Sequence, residues 1–401
     1  MSESKFEIPA EFASQLRHVP SKDTRTDAEI IATLNDHAPI TSEKNIWTYW
    51  HAGVDAMPSW NQRTMCNWIR LHGPSWTVRV LNTVPGHPNH ALNWIDADQL
   101  PETFVQGTMV GPYTGPHSAD FLRAPALYRY GGVWMDSSCI LFRSLDRICW
   151  DKLADEESPF SVGAVTQYGT VMANAFVAAR KGDVFVKKWH EIFMELWRGQ
   201  TDWSGIAASP LILPILMKME LSEAVEAGFK WKFTVDPVHI LGYIGQVLSW
   251  CRLASLQEPD GGFDGVDYYT KKVLCFDSLS EIWAAETLND FDGGEMYKSM
   301  FTTRRDADPE SEEYKKAYAT TWRLLTQSSL QKITHGKGMT TDIHCGYLLD
   351  QNEGSDCAPG TFGELLRYGS VHFEQTRESI DYREAHRVSE DRIIHKGLLE
   401  A

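Results

Sequence analysis

The stretch between Asn45 and Leu81 limits most severely what this chain can fold into. Asn45-Ile46-Trp47-Thr48-Tyr49-Trp50 is an apolar run of strand length and strand composition. Gly53 and Pro58 then mark a loop. Trp60, Met65, Trp68, Ile69 and His72 fall close to one helical face, and Gly73-Pro74 ends that helix. From Trp76 to Leu81 the pattern alternates, with Trp76, Val78 and Val80 on one side. Strand, helix and strand in so short a span read as a βαβ unit, whose two strands lie parallel. Parallel sheets need helices on both faces. The expected class is therefore α/β: a Rossmann-type, mostly parallel sheet flanked by helices.

The rest of the chain fits around that unit. Residues 1–44 are polar with weak periodicity and read as an arm or capping helix; 45–300 would form the main domain and 301–401 a C-terminal extension of helices and loops. Residues 83–116 are loop-rich. His117-Ser118 is expected to open a helix with Ser118 as N-cap and Asp120 in the first turn. Gly131-Gly132 ends it, and Val133 to Asp136 reads as a short buried strand. Phe160 to Val165 is a further strand, and Phe185, Val186, Trp189, Ile192, Phe193, Leu196 and Trp197 mark an amphipathic helix. Residues 206–255 read as proline-broken helix, Glu258 to Gly294 as a Gly- and Asp-rich tract, and Glu310 to Leu325 as a helix. Gly261 to Gly265 lacks the ligand spacing of a calcium loop and reads as a flexible loop.

Charge and cysteine usage exclude several classes of function. Thirty-eight basic against fifty-four acidic residues leave a formal charge of −16, which repels phosphate backbones and anionic lipid. No general nucleic-acid or membrane-surface binder is expected, although a small anion needs only a local positive site. The seven cysteines form no C-x-x-C, which argues against a disulfide framework or zinc site and suits a reducing compartment. The N-terminus has no apolar leader core, and the apolar stretch Leu211 to Met217 is too short to span a bilayer. The expected location is cytoplasmic.

The chemistry lies in His117–Asp146. Asp120 and Arg123, three apart on one helix, project from the same face. The double glycine turns the chain and lets backbone approach a ligand closely. Asp136 lands at the C-terminal end of an apolar strand, the edge at which open α/β sheets bind ligands. With the Ser137 and Ser138 hydroxyls it offers hard oxygens to a divalent cation. Taken singly, each piece reads equally well as a helix stop, a core strand and a solvated carboxylate. Only the whole string points to a site.

That string resembles the sugar-nucleotide-binding core of GT-A-fold glycosyltransferases of the capsular polysaccharide synthesis type. These are related to the yeast initiating mannosyltransferases and the large glucosylating bacterial toxins. The shared pattern is Ser-Asp-x-x-Arg followed by Gly-Gly-x-aromatic-x-Asp-x-Asp. Here Ser118, Asp120, Arg123, Gly131, Gly132, Trp134 and Asp136 occupy it, with one extra residue between Ser118 and Asp120. The resemblance also takes in Trp50-His51-Ala52-Gly53 and, more loosely, Asn174 to Ala179.

The resemblance implies a transferase moving a sugar from a UDP- or GDP-sugar donor to a hydroxyl-bearing acceptor, small molecule or glycan, with retention of configuration. Trp50 would stack on the base. Asp120 would accept hydrogen bonds from donor hydroxyls, and Arg123 would contact the sugar or diphosphate. Asp136 would hold Mn²⁺ or Mg²⁺, which neutralises the departing diphosphate. Ser118, Gly132 and Asn174 would line the donor. The family's second acidic residue is Ser138 here, a weaker metal ligand. A further metal or diphosphate contact would come from the C-terminal part, where Lys332, Lys337, His344 and, upstream, His239 are candidates. Two alternatives remain: a non-catalytic GT-A-like domain binding a nucleotide sugar or glycan, and a nucleotidyltransferase-like enzyme, which would also use one Asp with metal and phosphate.

Overall fold

Every residue of Asn45–Tyr49 (β1) is buried, and its side chains divide between two cores, Ile46 facing one and Trp47 and Tyr49 the other. The same division runs through Thr77–Leu81 (β2), Gly132–Met135 (β3), Val162–Gln167 (β4), Val171–Ala179 (β5) and Val273–Asp277 (β6). Strands buried on both faces must be covered on both. In this computed structural model, which describes residues 4–167, 169, 171–217 and 225–401, they are. On one side lie Asp27–Leu34 (α1) and Ser59–His72 (α2). On the other lie Thr114–Tyr130 (α3), Val184–Leu196 (α4) and Gly245–Ala254 (α5).

The sheet runs β7-β6-β4-β5-β3-β1-β2, with Tyr382–Arg383 (β7) at one edge. β1 pairs parallel with β2 and β3, as does β4 with β6. β5 runs against β3 and β4, and β7 against β6. Five of the seven strands thus point one way, and the mostly parallel α/β class read from the sequence holds.

Some local expectations give way. α3 begins at Thr114, a turn earlier than Ser118, because Gly115 and Pro116 sit in its first turn, where a missing N–H costs nothing. Ser118 is therefore no N-cap: its Oγ donates to the Thr114 carbonyl at 2.7 Å from inside the helix. The Gly- and Asp-rich tract holds β6 and, before it, a helix over Gly265–Lys272, capped by Asp264 accepting from the Asp267 N–H at 2.8 Å. Gly265 is buried, and a Cβ there would lie 1.9 Å from the Leu253 carbonyl oxygen, so close packing explains this glycine better than loop flexibility. Three of the tract's aspartates, Asp264, Asp277 and Asp292, are caps, which a composition reading does not distinguish from loop.

A third core is built on Glu312–Gln327 (α6) and Phe362–His372 (α7) and takes in Phe6 of the arm and Trp60 of α2. Two short ladders lie outside the seven-stranded sheet. Leu16–His18 pairs antiparallel with Phe373–Gln375, and Leu330–Lys332 pairs antiparallel with Cys139–Leu141, just beyond β3. The second pairing carries Lys332 to the sheet's C-terminal edge. All seven cysteines are free, and among the described residues no helix is long and apolar enough to cross a membrane.

Candidate functional site

β3 ends at Met135, and the Asp136 N–H donates to the Ala175 carbonyl at 2.9 Å, which fixes the residue at the strand edge. Three side chains converge on its carboxylate. Lys332 Nζ donates to Oδ2 at 2.5 Å, while Arg123 Nη2 and Trp134 Nε1 each lie 3.3 Å from Oδ1. The Arg123 guanidinium also lies over the Trp134 ring, 5.2 Å from its centroid. Its Nη1 donates to Asp120 Oδ1 at 2.6 Å and to Gln246 Oε1. Asn174 Nδ2 donates to the same two acceptors at 3.0 and 3.1 Å, and Gln246 Nε2 returns a bond to the Asp120 carbonyl. One connected polar network thus joins α3, β3, β5, α5 and the Leu330–Lys332 strand.

Burial by itself would raise the Asp136 carboxyl, but Lys332 and Arg123 outweigh it and hold the group below the ordinary aspartate value. Burial likewise works to discharge Lys332, and Asp136 reverses that, leaving the ammonium above its usual value. Both therefore stay charged near neutrality. The pair is not sealed: the Asp136 side chain is 25% exposed and that of Lys332 15%, against 2% for Arg123.

Asp120, Arg123, Asp136, Asn174 and Lys332, expected to share a site, lie together. Trp50 follows β1 at the same edge of the sheet and is partly buried against the α2-side core. Gly132 does not join them. It starts β3, at the end of the strand remote from Asp136, with φ +109°, and a Cβ there would lie 2.2 Å from the Asn45 carbonyl oxygen. That glycine serves the packing of β3 on β1, which corrects its expected contact with the donor. Ser118, with its hydroxyl turned to the Thr114 carbonyl, is 6% exposed. His239 packs edge-on to Tyr113 and Trp203; His344 caps the helix Cys345–Gln351, and Lys337 lies over the Tyr347 ring.

Sequence reasoning missed Gln246, which touches both Asp120 and Arg123 from a tract read only as broken helix. It also passed over His117 as a site residue. This histidine is 2% exposed, and its Nδ1 lies 3.6 Å from Asp120 Oδ2. Histidine beside the Ser-Asp pattern was the available signal.

The residues around Asp136 do not fit a divalent cation. Mg²⁺ and Mn²⁺ take oxygen ligands, one or two of them carboxylates whose negative charge balances the ion. Asp136 instead has an ammonium on one oxygen and a guanidinium on the other. Ser138 is 4% exposed and accepts a bond from Thr334 Oγ1 at 2.8 Å. The Asp136 and Ser138 oxygens expected as metal ligands thus face Lys332, Arg123 and Thr334 in this structure.

Comparison with known proteins completes the assignment. The profile of the capsular polysaccharide synthesis protein family matches residues 14–227. The chain is 49% identical over 397 residues to the probable glycosyltransferase FCK3 of Fusarium pseudograminearum, covering 98% of this chain and 99% of that protein. It is 36% identical to the O-glycosyltransferase braB of Annulohypoxylon truncatum, over 94% of this chain and 91% of that one. With the glycosyltransferase afumC of Aspergillus fumigatus it shares 37% identity over 94% and 95% of the two chains. Among solved structures, the PaToxG glycosyltransferase aligns with a TM-score of 0.30 and 15% identity over 56% of this chain and 92% of its own. With a sheet, a charged strand edge and near-full-length relatives in agreement, the chain belongs to the capsular polysaccharide synthesis family and is a glycosyltransferase.

Proposed function

We propose that the protein transfers a sugar from a nucleoside-diphosphate sugar, UDP- or GDP-linked, to a hydroxyl of a small-molecule or glycan acceptor, with retention of configuration. The observation that carries this reading is the network Asp120–Arg123–Asp136–Lys332 at the C-terminal edge of a mostly parallel sheet. Asp120, steadied by Asn174 and Arg123, has acceptor capacity for donor hydroxyls. Arg123 and Lys332 supply the local positive charge that an acidic protein needs beside a diphosphate. Trp50 offers a flat face at the same edge for a base. Two relatives named O-glycosyltransferases support a hydroxyl acceptor. Seven unpaired cysteines support a cytoplasmic location.

A thermal-shift panel of UDP- and GDP-sugars tests the donor. A ligand at a hundredfold excess over Kd stabilises by about 2.7 kcal/mol, a readily measured rise in Tm. A panel in which no nucleoside-diphosphate sugar shifts Tm, with no release of nucleoside diphosphate on incubation, would sink the reading. The anomer formed, read by NMR of the product, tests retention.

A further inference from the structure

Resting on the transferase reading above, we propose that Lys332 takes the place of a divalent cation, so that this enzyme binds and releases its diphosphate without metal. Lys332 Nζ lies 2.5 Å from Asp136 Oδ2, one of the oxygens with which that carboxylate would hold a cation. The exchange is consistent at three positions. The second acidic residue of the pattern is a serine, and that serine is bonded to Thr334. The other oxygen of Asp136 faces the Arg123 guanidinium. The strand bearing Lys332 is stitched to the chain beyond β3, Cys139 opposite Lys332, with the Ile333 N–H donating to the Ser138 carbonyl at 3.1 Å. The lysine is thus delivered by backbone pairing and does not wander in from solvent.

An ammonium has three donors. One goes to Asp136, and the 15% exposure of the side chain gives a phosphate oxygen access to the others. Asp136 becomes a positioning residue that keeps Lys332 charged and aimed. When the glycosidic C–O bond to the β-phosphate breaks, the bonding pair stays on that phosphate oxygen, the acceptor oxygen bonds to the anomeric carbon, and the acceptor proton passes to the departing diphosphate. Lys332 meets the developing charge by hydrogen bonding and keeps its proton, while the buried Arg123 holds Asp136 in place.

The test is calorimetric titration of the full-length protein with UDP and GDP, in excess EDTA and again with Mn²⁺ or Mg²⁺, alongside release of UDP from UDP-glucose and GDP from GDP-mannose. Wild type should bind a nucleoside diphosphate equally well in both conditions. Lys332→Ala should weaken it in EDTA by about 10–100-fold, the worth of a charge-assisted hydrogen bond. Lys332→Arg, which keeps the charge, should recover part of that affinity and guards against mere misfolding, as does an unchanged circular dichroism spectrum. Binding that requires the metal would overturn this proposal and leave the transferase reading standing. Undiminished binding by a folded Lys332→Ala in EDTA would overturn it too. Failure of every diphosphate and donor under both conditions would instead remove the donor reading, and this proposal with it.

Discussion

At the edge of β3, Asp136 lies between Lys332 and Arg123; at the junction of α2 and α7, Asp356 lies between Arg63 and Arg367. In both places burial works to raise a carboxyl, and two cations outweigh it. The local chemistry is nearly the same, but access differs. Asp356 is 1% exposed, and its arginines are held further by Ser59, Thr64 and the Trp60 carbonyl. The Asp136 side chain is 25% exposed, and Lys332 has donors to spare. A carboxylate boxed in by committed arginines fastens two parts of the chain together. The same carboxylate at an open strand edge can exchange partners with a ligand.

That contrast can be broken experimentally. A large effect should come from Asp356→Ala, which strands the buried Arg367 and takes the partner from the half-buried Arg63. Breaking a buried ion pair costs about 3–5 kcal/mol, so urea denaturation should show that loss, while the folded fraction keeps its donor affinity. A change under 1 kcal/mol would remove the structural role given to this cluster.

Arg123→Ala should weaken donor binding by about 2–5 kcal/mol, much of it the cost of leaving Asp120 unpaired. Because Arg123 is 2% exposed, stability should fall as well, and calorimetry on folded protein separates the two. An unchanged donor Kd would make Arg123 a member of the structural class that Asp356 represents.

Asp136→Asn keeps the shape but releases Lys332. A misplacement of about 1 Å can cost roughly 100-fold in rate, so kcat should fall by that order. Tm should move far less than for Asp356→Ala, since the site is open. Wild-type turnover in this variant would show that the exposed pair does nothing for the reaction.

A third carboxyl sharpens the comparison. Glu286 is buried, accepts from Gln331 Nε2 at 2.6 Å and has no ion pair among the described residues; burial pushes its carboxyl up from 4.5 to about 8. Folding therefore keeps a proton that the unfolded chain gives up. Its contribution is full below pH 4.5 and is lost as pH rises towards 8, by at most about 1.4 kcal/mol per pH unit. Glu286→Gln should flatten stability against pH across that window, measured by urea midpoints. An unaltered slope would mean that Glu286 is ionised in the fold.

How much of this was legible beforehand depends on sequence distance. β1, α2 and β2 are spelled out by local periodicity, and Asp120, Arg123 and Asp136 lie within one short string, so their convergence could be read directly. Even there, the start of α3 was misplaced, since Gly115-Pro116 reads as loop while also being tolerated in a first helical turn. Gly132 was singled out correctly as a constrained glycine but for the wrong neighbour, because a positive φ does not say what presses on it.

The sequence by itself determined the class of sheet, the strand that ends in Asp136 and the family pattern around it, all properties of short-range spacing. Tertiary structure alone decided what surrounds that carboxylate. Gln246 meets Asp120 across 126 residues, and Lys332 meets Asp136 across 196. No periodicity links positions so far apart; their meeting follows from which strand pairs with which, and pairing is fixed only when the whole chain buries its cores. A carboxylate awaiting a metal and a carboxylate already holding a lysine read identically along the chain, and only the fold tells them apart.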